Sequence, residues 1–346
     1  MKKVILVILI LCTFSVQAKW VKPSEKYINE YKKHEDAGCP IEENSIQHFV
    51  YFARDSKGII NHPLLKSDNF SGAQIMYPWA ELEPVEGEYD FSQIESDLTY
   101  LQGHNKKLFI QLQDATFTKT FKGVPSYLLT DRFAGGVAKQ FSDNGELEGW
   151  VAKRWNKNVR NKFSQLIIAL GEQFDGRVEG INLQESAIGV SAKTSPDFTN
   201  KTYVEALKNN MTALKHGFKN SVTIQYANFM PGEWLPWEDE GYLKSIYEHG
   251  ESIGVGLGAP DLMPRRKGQL NHALTMMHEN KYSVPLSIAV QDGNYIGKTN
   301  SMDVNNQRKN LVPSLTSFAT KFLKVNYMFW VNQEPYFEQD VMTCFE

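Results

Sequence analysis

The sequence predicts an α/β fold of one kind, a closed (β/α)8 barrel of the TIM type in a single domain, and three observations predict it. Eight short runs rich in β-branched and aromatic residues recur from Gln47 to the carboxyl end. Segments with apolar residues three and four apart separate them, and no low-complexity linker interrupts the alternation. The turn after the first run, FARDSKG, lacks the glycine-rich phosphate fingerprint expected of a doubly wound open sheet, the competing architecture. Parallel strands need helical crossovers and closure removes both sheet edges, so eight repeats in one domain read as a barrel.

In chain order the strands are expected at QHFVYFA (47–53), GAQIMYP (72–78), KLFIQLQ (107–113), VEGINLQ (178–184), VTIQYAN (222–228), IGVGLGA (253–259), PLSIAVQ (285–291) and NYMFWVN (326–332). The first link, 59–70, is a poor helix. Helical periodicity follows in FSQIESDLTYLQGH, RWNKNVRNKFSQLIIALGEQF, TYVEALKNNMTALKHGF, EGYLKSIYEHG, LNHALTMMHEN and LVPSLTSFATKFL. About a dozen residues remain after the last strand, so the eighth helix is expected to be short or missing.

The ends of the chain read differently. MKKVILVILILCTFSVQA has a basic start, an apolar stretch and a small residue at Ala18, the pattern of a secretory signal peptide over 1–18 with cleavage after Ala18. A membrane anchor is the competing reading, but the apolar stretch is shorter than the roughly 20 residues of a spanning helix. Residues 19–45 then form an amino-terminal extension and 46–346 the barrel, in a protein that is secreted or periplasmic and has no membrane contact once mature. Cys39 and Cys344 remain after cleavage; an oxidising compartment favours their pairing as a disulfide over two free buried thiols.

Composition excludes several functions. A net charge of −3 on 346 residues, with no basic or acidic block, gives no reason to expect nucleic acid or an anionic membrane as partner. The histidines show no HExxH spacing and CxxC pairs are absent, so no metal and no cofactor is expected. Nothing in the sequence fixes an oligomeric state.

Barrel enzymes place their chemistry at the carboxyl ends of the strands. Here those ends carry Trp79, Glu81 and Glu83, then Asp114, Glu185, Asn228, Glu233, Trp234, Trp237, Asp261, Asp292, Tyr295, Trp330, Glu334 and Tyr336. Any one of them is more often solvated than catalytic, because loops are polar in every protein.

The segment from Tyr77 to Gln113 resembles the amino-terminal part of clan A glycoside hydrolases, in particular the family 42 β-galactosidase type. The matching residues are Trp79, Glu83, Pro84, Gly87, Tyr89, Asp90 and Phe91, and VPSYLL (124–129) is similar to that family's loop after the third strand. Physically, Trp79 at a strand mouth offers a flat face for a sugar ring, and Asp90 is placed to cap the helix beginning near Ser92.

The resemblance implies hydrolysis of a glycosidic bond in an oligo- or polysaccharide by two carboxyl groups, one protonated to help the leaving group depart and one ionised to attack. Its acid/base falls on Glu185, preceded by Gln184 where the family has Asn. Its nucleophile falls at the end of the seventh strand, where the chain reads AVQDGNY. Alternation points Ser287, Ala289 and Gln291 into the barrel, leaving Asp292 off register unless the strand ends in a bulge. Glu334 is a further candidate, and the absence of any nucleophile is the third possibility. That last case is a non-catalytic carbohydrate-binding barrel, or an inverting enzyme with Asp114 or Glu233 as base. Sugar contacts are expected from Trp79, Asp114, Gln184, Tyr226, Asn228, Trp234, Trp237, Gln291 and Trp330.

Overall fold

The computed structural model describes residues 20–302, 305, 308 and 311–346. The expected signal peptide, 1–18, lies outside the described residues. Among the described residues there are eleven strands: β1 (Gln47–Tyr51), β2 (Gly72–Pro78), β3 (Lys107–Gln113), β4 (Ala115–Thr116), β5 (Val137–Phe141), β6 (Leu147–Ala152), β7 (Gly180–Leu183), β8 (Val222–Tyr226), β9 (Gly256–Ala259), β10 (Leu286–Val290) and β11 (Tyr327–Val331). Eight of them close a barrel in the order β1-β2-β3-β7-β8-β9-β10-β11, all neighbours parallel, and β11 returns to β1 with Phe329 opposite Phe49. Each of the eight expected strands is therefore found, β2 and β3 with the expected limits.

Alternation along the strands sorts side chains between the barrel interior and the surrounding helices. Phe49, Phe109 and Phe329 meet inside, with ring centroids 5.0–5.8 Å apart, and plug the barrel with aromatic volume. A polar layer lies beside this plug, where the Gln74 amide donates to Asn182 Oδ1 at 2.8 Å and to the Tyr226 hydroxyl at 3.2 Å. Gly258 leaves room for this arrangement, since a Cβ there would come within 3.1 Å of the Tyr226 ring and 2.1 Å of Ser287 Oγ.

The helices bury one stripe each. In Lys157–Phe174 the buried residues Val159, Phe163, Leu166, Ile167, Leu170 and Phe174 recur at three- and four-residue spacing, and the Asn156 side chain caps the start by accepting from the Asn158 and Val159 amides. Asn200–Gly217 begins with a reciprocal box between Thr199 and Thr202. The 59–70 link contains only short 3-10 turns, and the chain ends in the short turns Phe337–Met342 and Thr343–Phe345, as expected.

The amino-terminal extension lies against the outer helices. Ser24 N donates to Asn271 Oδ1 at 2.9 Å, and Tyr27 meets Phe322 edge-on. Cys39 and Cys344 are joined as a disulfide across 305 positions, with Cα atoms 4.8 Å apart.

One feature departs from the expected barrel. Between β3 and the following helix, β4, β6 and β5 form a separate antiparallel sheet beside the barrel mouth. The signal for it was an Asn144-Gly145 pair between two alternating runs; Gly145 takes φ 79°, which an asparagine-glycine turn supplies without steric cost.

Candidate active site

A cavity of about 130 Å3 opens at the carboxyl ends of the barrel strands, and Tyr51, Gln111, Gln113, Glu185, Tyr226 and Asp292 are among its walls. A larger cavity of about 590 Å3 lies between the extension and the 312–318 helix. Its carboxylates, Asp36, Glu42 and Glu43, are exposed to solvent. Only the smaller one gathers carboxyl groups under partial burial, so the chemistry is sought there.

Glu185 follows β7, where Ser186 and Asn228 tie the ends of β7 and β8 together. Ser186 Oγ donates to Phe229 O at 2.7 Å and accepts from Asn228 N at 3.1 Å. The Asn228 carbonyl accepts from Ala187 N at 3.2 Å, which turns its amide nitrogen toward Glu185, to whose Oε2 it donates at 2.7 Å. Burial first, and then the Asp261 carboxylate, push the Glu185 carboxyl up to about 8, against the Asn228 hydrogen bond and the Arg154 charge. A carboxyl held up near 8 favours its protonated form at neutral pH.

Asp292 reaches the cavity by a turn. Asn294 N donates to Gln291 O at 2.9 Å, and Gly293 has φ 80° and ψ −11°, the third position of a type II turn. β10 stops at Val290, so strand register no longer governs Asp292, and both Gln291 and Asp292 line the cavity. Burial raises the Asp292 carboxyl above the usual carboxylate range. The Asp-Gly pair after an apolar run is the sequence signal for this turn.

Several expected contacts take other roles. Trp79 is fully buried, donating to Glu83 Oε2 at 2.8 Å and packing on Phe163, so it has no face for a ligand. Glu83 Oε1 in turn accepts from Gly87 N at 2.9 Å, which makes the Trp79, Glu83 and Gly87 motif a brace for the loop after β2. Asp90 Oδ1 accepts from Ser92 N, but the N-cap position is Phe91 and the helix has no side-chain cap, so Asp90 shapes the turn before the helix and is not the expected cap. Trp330 is also fully buried; with Phe329 turned inward, it faces outward, donates to His48 Nδ1 and meets Phe345.

Asp114 is engaged by Arg154 through hydrogen bonds of 2.7 and 2.6 Å, both side chains buried, and is not available as a base or sugar ligand. Glu233 accepts from the Tyr242 and Leu243 amides at 2.8 Å each and secures a helix start. Glu334 is exposed and lies outside the residues lining the cavity, so it does not join Glu185. Trp234 is 64% exposed, edge-on to His272, and Trp237 packs against the core; neither lines the cavity.

Gln184, Tyr226 and Gln291 do line it. Gln184 Oε1 accepts from the Asp114 and Ala115 amides, so its carbonyl is committed to the barrel rim and away from a sugar. Arg154 was not anticipated: its guanidinium also donates to Glu185 O at 3.0 Å and to the Tyr203 hydroxyl at 2.8 Å, so it holds the backbone at Glu185. Nor were Gln111 and Gln113, which line the cavity and whose side-chain oxygens are buried without a hydrogen-bond partner. Among the described residues no group of three or more His, Cys, Asp or Glu side chains could hold a metal ion.

No protein-family model matches the chain, and no curated protein sequence does. Solved structures with a similar layout include the catalytic domain of a β-amylase from Paenibacillus polymyxa, at 11% identity and a TM-score of 0.46 over 84% of this chain and 92% of that one. Endo-glycoceramidase II from Rhodococcus sp. is similar at 8% identity and a TM-score of 0.49, over 85% and 76%. GH5_18 from Streptomyces cattleya, in complex with GlcNAc, is similar at 11% identity and a TM-score of 0.48, over 84% and 71%. These are glycoside hydrolases, and the likeness is one of layout.

Proposed function

We propose that the protein is an exported glycoside hydrolase in which Glu185 is the acid/base and Asp292 the nucleophile. The observation that carries this reading is the convergence on one cavity of two carboxyl groups, one of them held protonated by burial at neutral pH. Glu185 would give its proton to the leaving oxygen as the C1–O bond breaks, while an Asp292 oxygen bonds to C1. Glu185, now ionised, would take a proton from water as that water displaces Asp292 and restores both groups. The resemblance of the Tyr77–Gln113 segment to the family 42 type belongs with this reading. The Cys39–Cys344 disulfide supports export, because such bonds persist in oxidising compartments.

One observation favours the alternative of a barrel that binds carbohydrate without cutting it: burial also raises Asp292, which disfavours the ionised form that a nucleophile needs. A panel of aryl glycosides and polysaccharides separates the two. Turnover by the native protein, lost roughly 100- to 10,000-fold in Glu185→Gln and in Asp292→Asn, is expected of the hydrolase. Saccharide binding with no turnover by the native protein would contradict it.

A further inference from the structure

The antiparallel sheet inserted after β3 carries a second hollow, about 470 Å3, on the flank of the catalytic cavity. Its walls are Phe117, Thr118, Lys119, Glu146, Leu147 and Glu148 from the insertion, and Asn300 from the loop after β10. Phe117 and Asn300 line both hollows, so the two adjoin and share a wall. At about 130 Å3 the inner part is small, while the outer part is more than three times larger. A ligand filling both is elongated, with one end at Glu185 and Asp292 and its remainder over the insertion.

The chemistry of the outer hollow narrows the ligand. Phe117 is 49% exposed at the seam, an aromatic face presented to solvent where apolar side chains are normally withdrawn. An aromatic ring at a polar cleft suits the apolar face of a pyranose, whose hydroxyls stay directed at water and at side chains such as Thr118 and Asn300. The outer walls carry one lysine, Lys119, against two glutamates, Glu146 and Glu148, and the inner cavity adds Asp292, Glu185 being neutral. Arg54, whose charge reaches Tyr51, stacks over the Phe121 ring at 4.7 Å. Carboxylates outnumber cations along this path, which opposes an anionic chain by like-charge repulsion.

We propose that the insertion is a binding platform for the remote units of a neutral oligosaccharide, with Phe117 as the stacking residue at the seam. This rests on the carbohydrate reading of the site and does not require that the bond be cut. It is tested by calorimetric titration of the full-length mature protein in a Glu185→Gln background, using neutral gluco-, manno-, xylo- and galacto-oligosaccharides of two to six units and a uronic acid oligomer of matched length. For at least one neutral series, affinity is expected to rise with length. Adding Phe117→Ala should lower affinity for the longest member by about 10-fold, the loss of one stacking contact, while leaving the shortest within about 2-fold. A circular dichroism melt identical to the parent keeps a folding defect from being mistaken for this result. Absence of saccharide binding, equal losses for short and long members, or equal affinity for the uronic acid oligomer would each overturn the proposal. Length-dependent, Phe117-dependent binding by a native protein with no turnover would uphold the platform and remove the hydrolase.

Discussion

Two carboxyl groups at neighbouring strand ends are held in opposite ways. Asp114, after β3, faces the Arg154 guanidinium through two hydrogen bonds, while Glu185, after β7, receives a hydrogen from the neutral amide of Asn228. Both lie in the same rim, linked by Gln184, whose carbonyl accepts from Asp114 N. The guanidinium clamps the first through two hydrogen bonds and makes it scaffold. A neutral partner leaves the second able to hold a proton and release it, which is the difference between a support and an acid. Burial alone does not make a catalytic group; the partner decides.

The strongest way to break this comparison is to remove the cation. Arg154→Met leaves Asp114 buried and unpaired, and the expected loss is about 3–5 kcal/mol in urea unfolding. Joining it with Asp114→Leu should recover most of that loss, since an apolar pair replaces an ion pair. If the double variant is no more stable than the single one, Arg154 acts through Glu185 O or Tyr203 instead.

A smaller effect separates the two acids by pH. Glu185 stands near 8 in the fold against an ordinary 4.5. Between those values the native protein keeps a proton that the unfolded chain has lost, so this group's contribution falls as pH rises through that window and is flat outside it. Replacing Glu185 by Gln removes the dependence. The stability of Glu185→Gln relative to the native protein should therefore grow by roughly 3 to 4 kcal/mol between pH 5 and 8. A gap that stays constant with pH would contradict a proton held on Glu185 in the fold.

The smallest effect expected is none. Glu334 is exposed and outside the cavity, so Glu334→Gln should leave kcat unchanged and stability within about 0.5 kcal/mol. A large loss of turnover would return Glu334 to the site and displace Asp292.

The barrel was legible because its strands carry period-2 patterns long enough to read, and β2 and β3 were readable to the residue. Two tryptophans expected at the ligand turned out to be scaffold. Trp79 sits in a helical turn just past β2, where strand register no longer applies, and Trp330 follows an inward Phe329 and must face out. Glu185 was legible from its position at a strand end. Its environment was not: Asn228 lies 43 residues away in sequence, and Arg154, which holds the neighbouring Asp114, lies 40 residues from it. Asp292 was legible as a residue type but off register, because a turn and not the strand carries it. The inserted sheet was obscured by its shortness, with β4 only two residues long.

The central claim is that Glu185 is a neutral carboxylic acid poised in the cavity, and infrared difference spectroscopy of the native protein against Glu185→Gln measures it directly. The carbonyl stretch of a protonated carboxyl, absent from the variant, should be present at pH 6.5 and titrate away near pH 8. A Glu185 that is already ionised at pH 6.5, losing its proton near 4.5, would contradict the account.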